Sequence, residues 1–123
     1  MGLRDDIRSA AMPPPVARRF AETLREVAAA DGHVDSSELV AISSMIESFT
    51  QRNVEPAPLE TLWPFRELLI RAAIYVAVID GVYDVDEARK ISSLAHRLGL
   101  SAHALAAVER AAFEELRALA NQR

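Results

Sequence analysis

"AAADGHVDSSELV", Ala28 to Val40, returns in altered form as "AVIDGVYDVDEAR", Ala77 to Arg89. The offset from Asp31 to Asp80 is 49 residues. At that offset Val27/Val76, Ala28/Ala77, Gly32/Gly81, Asp35/Asp84, Glu38/Glu87, Ile42/Ile91, Ser43/Ser92 and Ser44/Ser93 are also identical. Agreement this dense in a short window marks an internal repeat, which is a statement about architecture before it is one about chemistry. Each copy is an apolar helical stripe, an Asp-Gly pair and a second helical stripe. The chain therefore reads as two helix-turn-helix units, at residues 16–51 and 65–99, related by a pseudo-twofold.

Helical periodicity continues outward from the repeat. Val16, Phe20, Leu24, Val27 and Ala28 recur at intervals of three and four, one face of a helix from Pro14 to Ala30. Leu39, Ile42, Met45, Ile46 and Phe49 form the stripe of a second helix, Ser36 to Gln51, which "RNVEPAP" (Arg52 to Pro58) ends as a loop. A short turn at "LETLW", with Pro64 near the first helical residue, leads into "FRELLIRAAIYVAVID". That segment is apolar on nearly all sides, so it belongs at the centre of a bundle. A fourth helix runs from Val85 to Leu98 and stops at Gly99. Ser101 caps a fifth, about residues 101–121, with Leu105, Val108, Ala112, Leu116 and Leu119 inward.

No segment alternates as a strand does. The expectation is an all-α, single-domain compact helical bundle of about five to six helices. It comprises an N-terminal arm (residues 1–15) with a short helix and a helical domain (residues 16–123). The arm places Leu3, Ile7, Ala11 and Met12 on one side, suited to its own bundle or to a second subunit.

Every recurring residue of the turns has a structural use. Gly32 and Gly81 supply the reversal after a helix end. Asp35 and Asp84 are natural N-caps, and Glu38 and Glu87, three residues on, can close capping boxes. The same residues also admit a metal reading. Gly32, Val34 and Glu38, like Gly81, Tyr83 and Glu87, match the glycine, apolar and glutamate positions of an EF-hand loop. Asp31 and Asp80 would stand at its fifth position, and Asp35 and Asp84 at its ninth. The opening positions, Val27 and Ala29 or Val76 and Val78, offer no side-chain oxygen, which rejects a true EF-hand. Three carboxylates per turn remain, and Ca²⁺ or Mg²⁺ wants about six or more oxygens, completed by carbonyls and water. Asp86 adds a carboxylate to the second turn. His33, between Asp31 and Asp35, is an exposed turn residue or a ligand, and as a ligand it would favour a transition metal such as Zn²⁺.

"LLIRAAIYVAVIDGVYDVDEARKISSLAHRLGL" (Leu68 to Leu100) and "VAAADGHVDSSELVAISSMI" (Val27 to Ile46) resemble the TerB-like (tellurite resistance protein B) family. The resemblance covers close to half the chain and rests on the order and spacing of the two turns. It implies an all-α bundle with internal pseudo-symmetry and a part in bacterial responses to tellurite and other chemical stress, alongside calcium-binding and membrane partners. It also implies a divalent-cation role for Asp31, Asp35, Glu38, Asp80, Asp84 and Glu87. Two features depart from the family. Ser36 and Ser37 leave the first turn poorer in carboxylates than the second, and residues 1–15 have no counterpart in the pattern.

Composition narrows the rest. The 123 residues are half hydrophobic with a net charge of −4, as a globular chain has it. Without cysteine, disulfides, thiolate catalysis and cysteine-held zinc are excluded. Lys90 is the only lysine, and opposite charges interleave, so no basic stripe suits nucleic acid. The paired Arg18 and Arg19 read as a solvated helix face, with peripheral contact to an anionic membrane as the other use. The longest apolar run, Leu68 to Ile79, is broken by Arg71 and too short to span a bilayer. A cytoplasmic protein is the default expectation.

No catalytic constellation is visible. His33, His96 and His103 are scattered, "ISSMI" and "ISSLA" lack a nucleophile elbow, and there is no Gly-rich phosphate loop. Ser43, Ser44, Ser92 and Ser93 read as small residues at close helix crossings. Trp63, the only tryptophan, reads as packing over the start of the central helix. Two functions remain: a non-enzymatic helical interaction or regulatory module with protein partners, a homodimer among them, or a dedicated divalent-cation-binding protein.

Overall fold

A computed structural model of the chain describes residues 3–29, 37–49, 54–79 and 85–121. These form helices α1 (Leu3–Ser9), α2 (Pro14–Ala29), α3 (Ser37–Phe49), α4 (Arg66–Ile79), α5 (Val85–Arg97) and α6 (Ala102–Asn121), with a 3-10 helix (Leu59–Phe65) ahead of α4. There is no strand among the described residues, and none of their helices is long and apolar enough to cross a membrane.

The segment that is apolar on nearly all sides takes the central position, as its sequence predicts. Leu69, Ile70, Ala72, Ala73, Ile74, Val76 and Ala77 of α4 are all buried, and every other element touches α4. Phe20, Leu24, Val27 and Ala28 of α2 and Leu39, Ile42 and Ile46 of α3 are buried on their predicted stripes, with Val16 and Met45 partly buried against them. α6 is peripheral. Ala112 is fully buried, and Leu105 and Val108 are only partly buried against the core.

The N-terminal arm docks on its own chain. A seven-residue helix is marginal alone, and α1 owes its place to Leu3 and Ile7, one turn apart and buried against α4. Met12 is buried beyond the helix end. Ala11 departs from its expected apolar side: it is exposed, with φ 53°. That left-handed residue turns the chain away from α1, and Pro14 and Pro15 then start α2 behind Pro13, its first turn lacking amide partners in any case. Residues 54–58 fold back on α2. The Ala57 amide donates to the Pro15 carbonyl at 2.9 Å, and Arg19 Nε donates to the Ala57 carbonyl at 2.6 Å. Arg19 is thus no mere solvated charge. It holds an irregular segment whose carbonyls no helix satisfies.

Arg71 interrupts the apolar run of α4 because three helices share it. Its Nε and Nη2 donate to Glu115 Oε2 of α6 at 3.0 and 2.8 Å, and Nη1 donates to Asp6 Oδ2 of α1 at 2.5 Å. Burial works against the guanidinium charge; the hydrogen bonds and negative charge of Asp6 and Glu115 overcome it and raise its pKa above the ordinary arginine value. A raised arginine pKa contributes stability that is complete below the ordinary value and lost only at still higher pH. The arginine is therefore fully charged throughout any working range.

α5 ends in a Schellman turn. The Leu100 amide bonds the Ala95 carbonyl at 2.9 Å and the Gly99 amide the His96 carbonyl at 3.0 Å, with Gly99 at φ 78° and Leu100 buried. Ser101 Oγ then accepts the Ala104 amide at 3.0 Å, the expected N-cap of α6. Trp63 packs over this turn as well as standing just before α4. A Cβ on Gly99 would overlap the indole Cη2 and come within 2.6 Å of Cζ3. The ring stays half exposed, with Arg66 stacked on it at 4.2 Å from the centroid.

Two substitutions check these contacts in denaturant unfolding. Gly99→Ala is expected to cost about 2–3 kcal/mol, roughly 1 kcal/mol from the backbone and the remainder from the indole. In a Trp63→Ala background only the backbone part should persist, and equal costs in both backgrounds would remove the ring from the account. Arg71→Met should cost about 1–3 kcal/mol, since it strands two half-buried carboxylates. A neutral result would show that the three-helix network adds nothing beyond its desolvation cost.

Candidate functional site

The residues singled out by the repeat fall at the two α–α connections, between α2 and α3 and between α4 and α5. Asp31, Gly32, His33, Asp35, Asp80, Gly81 and Asp84 lie outside the described residues. Glu38 and Glu87 fall in the first turns of α3 and α5, and their side chains also lie outside the described residues. Asp86 is described: it is exposed in the first turn of α5. A carboxylate there meets the unsatisfied amides of a helix N-terminus, whose partial positive charge favours it. Among the described residues no three metal-ligating side chains cluster.

The helices flanking the connections are placed by the burial of identical residues. Val27 and Val76 lie in the last turns of their helices at 3% and 4% exposure, Ala28 and Ala77 beside them are buried, and Ile42 and Ile91 are fully buried in the helices that follow. The chain is thus brought to each Asp-Gly pair by a buried Val-Ala step and taken away by a buried isoleucine.

The four serines do not behave alike, which corrects their common reading as crossing residues. Ser44, Ser92 and Ser93 are exposed, and only Ser43 is buried. Ser43 belongs to a hollow of about 340 Å³ between α2 and α3, with Arg25, Leu39, Val40, Ser44 and Glu47 as its other lining residues. Arg25 Nη2 lies 3.5 Å from Glu47 Oε1 across it. Periodicity could not reveal this feature. It finds which face of α3 is apolar, and not which residues of α2 and α3 share a hollow.

His96 and His103 are exposed on α5 and α6. No protein-family model, curated protein or solved structure matches the chain.

Proposed function

We propose that the chain is a non-enzymatic helical interaction or regulatory module of TerB-like type, built as two pseudo-symmetric helix-turn-helix units and serving a bacterial stress response. The observation that carries the reading is the matched burial of Val27/Val76, Ala28/Ala77 and Ile42/Ile91. These three identical pairs are buried alike on either side of the offset. The acidic residues between them are then accounted for as helix ends and caps, and the half-exposed Trp63 and Val40 supply apolar contact for a protein partner, a second copy included. The sequence resemblance supports the stress-response setting.

A second reading, a dedicated divalent-cation-binding protein with both turns as sites, is favoured by the exposed Asp86 beside the second turn. Here Asp31, Asp35 and Glu38, and Asp80, Asp84 and Glu87, would supply hard oxygens for Ca²⁺ or Mg²⁺, with His33 tilting the first turn toward Zn²⁺.

Backbone-amide NMR of metal-stripped protein, titrated with Ca²⁺, Mg²⁺ and then Zn²⁺, separates the two. The module expects no saturable shift at Gly32 and Gly81 below millimolar cation. It also expects Asp31→Asn and Asp80→Asn to cost no more than about 1 kcal/mol each. Saturable shifts at micromolar cation, abolished by those two substitutions, would replace the module with the cation-binding protein.

A further inference from the structure

The turn that joins α1 to α2 is strained. Ala11 has φ 53°, and among the described residues no other except a glycine has positive φ. That region crowds the Cβ of an L-residue against the next carbonyl, and alanine has no polar side chain to compensate as asparagine or aspartate would. The turn's own hydrogen bond is long, the Ala11 amide reaching the Arg8 carbonyl at 3.4 Å. The strain is held by what the turn achieves, which is to fold α1 back onto its own chain with Leu3 and Ile7 buried.

The chain beyond this hinge is stiff. Pro13 follows Met12 directly and biases it toward extended backbone, and Pro13, Pro14 and Pro15 each have a fixed φ. An arm swung out of its groove therefore projects on a semi-rigid spacer, with few conformations to lose when it docks elsewhere. It must dock somewhere. Seven residues are too few to keep a helix in water, and a free arm would expose two large apolar side chains.

The chemistry of the groove selects its occupant. It takes two apolar side chains one helical turn apart against α4, and Arg71 takes the carboxylate of Asp6, just ahead of the second. A second copy of this chain carries that set at that spacing. Exchange of arms between two copies keeps the contacts of Leu3, Asp6 and Ile7 and relieves both Ala11 residues. Association entropy is the opposing term. A foreign helix in the groove would leave the displaced arm in water, whereas a reciprocal exchange leaves no arm over.

We propose that α1 is an exchangeable arm. The arm of each copy docks on α4 of the other, with residues 10–13 opened as the hinge, and this reciprocal dimer is in equilibrium with the self-docked monomer. The exchange does not use the acidic turns, so it stands whether those turns serve as caps or take cations.

Analytical ultracentrifugation of the full chain measures the equilibrium, and the unsubstituted protein should dimerise with a Kd of about 1 mM or tighter. Ala11→Gly removes the strain from the folded-back turn. Because two hinges count in each dimer, it should weaken dimerisation at least about tenfold. Ala11→Pro fixes φ at about −65°, which forbids the turn, and should tighten dimerisation at least about a hundredfold. Adding Ile7→Asp to Ala11→Pro removes the arm's anchor and should return a monomer. The chain has no cysteine, so Ser9→Cys, at an exposed position, carries a single spin label. Mixed with isotope-labelled copies that carry no spin label, it should broaden their α4 amides around Arg71. An unsubstituted protein monomeric at about 1 mM would overturn the exchange. So would an affinity unchanged by Ala11→Gly, a folded but monomeric Ala11→Pro, a dimer that survives Ile7→Asp, or α4 amides that stay sharp in the mixture. The mixture made with Ala11 in place decides the matter even where Ala11→Pro does not fold.

Discussion

Arg71 stands on the one helix that every other element touches, and its charge cannot be left alone there. A partly buried guanidinium left unpaired would keep an uncompensated desolvation cost. The cost is met from outside α4, by Glu115 on α6 and Asp6 on α1. Those partners belong to the first and the last helix of the fold. α1 is too short to persist alone, and α6 buries only one residue completely among those described. The apolar contacts of Leu3, Ile7 and Ala112 bring the two helices to α4, and the shared arginine fixes the register in which they lie. Apolar burial is non-directional; a guanidinium fork is not, and it distinguishes one docking of an amphipathic helix from its neighbours along the groove.

Much of this arrangement was readable from local pattern. The stripes of α2 and α3, the central place of the wholly apolar segment, the glycine stop after α5 and the serine cap of α6 depend on residues within about one or two helical turns of each other. What escaped was joined across the chain. Arg71 meets Asp6 and Glu115 at separations of 65 and 44 residues, and Arg19 meets Ala57 at 38. Read locally, Arg71 was an interruption and Arg19 half of a solvated pair, because periodicity records only which face a side chain occupies. The indole over Gly99 is of the same kind: the glycine was legible as a helix stop, and its second duty under Trp63 was not.

The candidate site divides on the same principle. A repeated Asp-Gly-x-x-Asp-x-x-Glu is conspicuous in sequence because its spacing is local, yet local spacing serves a capping box and an oxygen-rich ion site equally well. Carboxylates that receive helix amides retain lone pairs for a cation, so the two uses are not chemically exclusive. The flanking burial explains the repetition of Val27, Ala28 and Ile42 with no ligand involved. It is silent on the acidic residues they bracket.

What distinguishes the two halves is the chain that follows each helix pair. After α5 a tight Schellman turn delivers a twenty-residue amphipathic helix, which returns along α4. Ahead of the 3-10 helix, residues 54–58 instead lie as an irregular segment against the start of α2. The consequence is written at one pair of equivalent positions. Ile74, within the cover that α1 and α6 give α4, is fully buried; Arg25, at the same offset on α2, is half exposed beside Glu47. An exposed position is free to diverge, since close packing does not dictate its residue. Arg25 can therefore carry a charge at a position whose counterpart, Ile74, cannot.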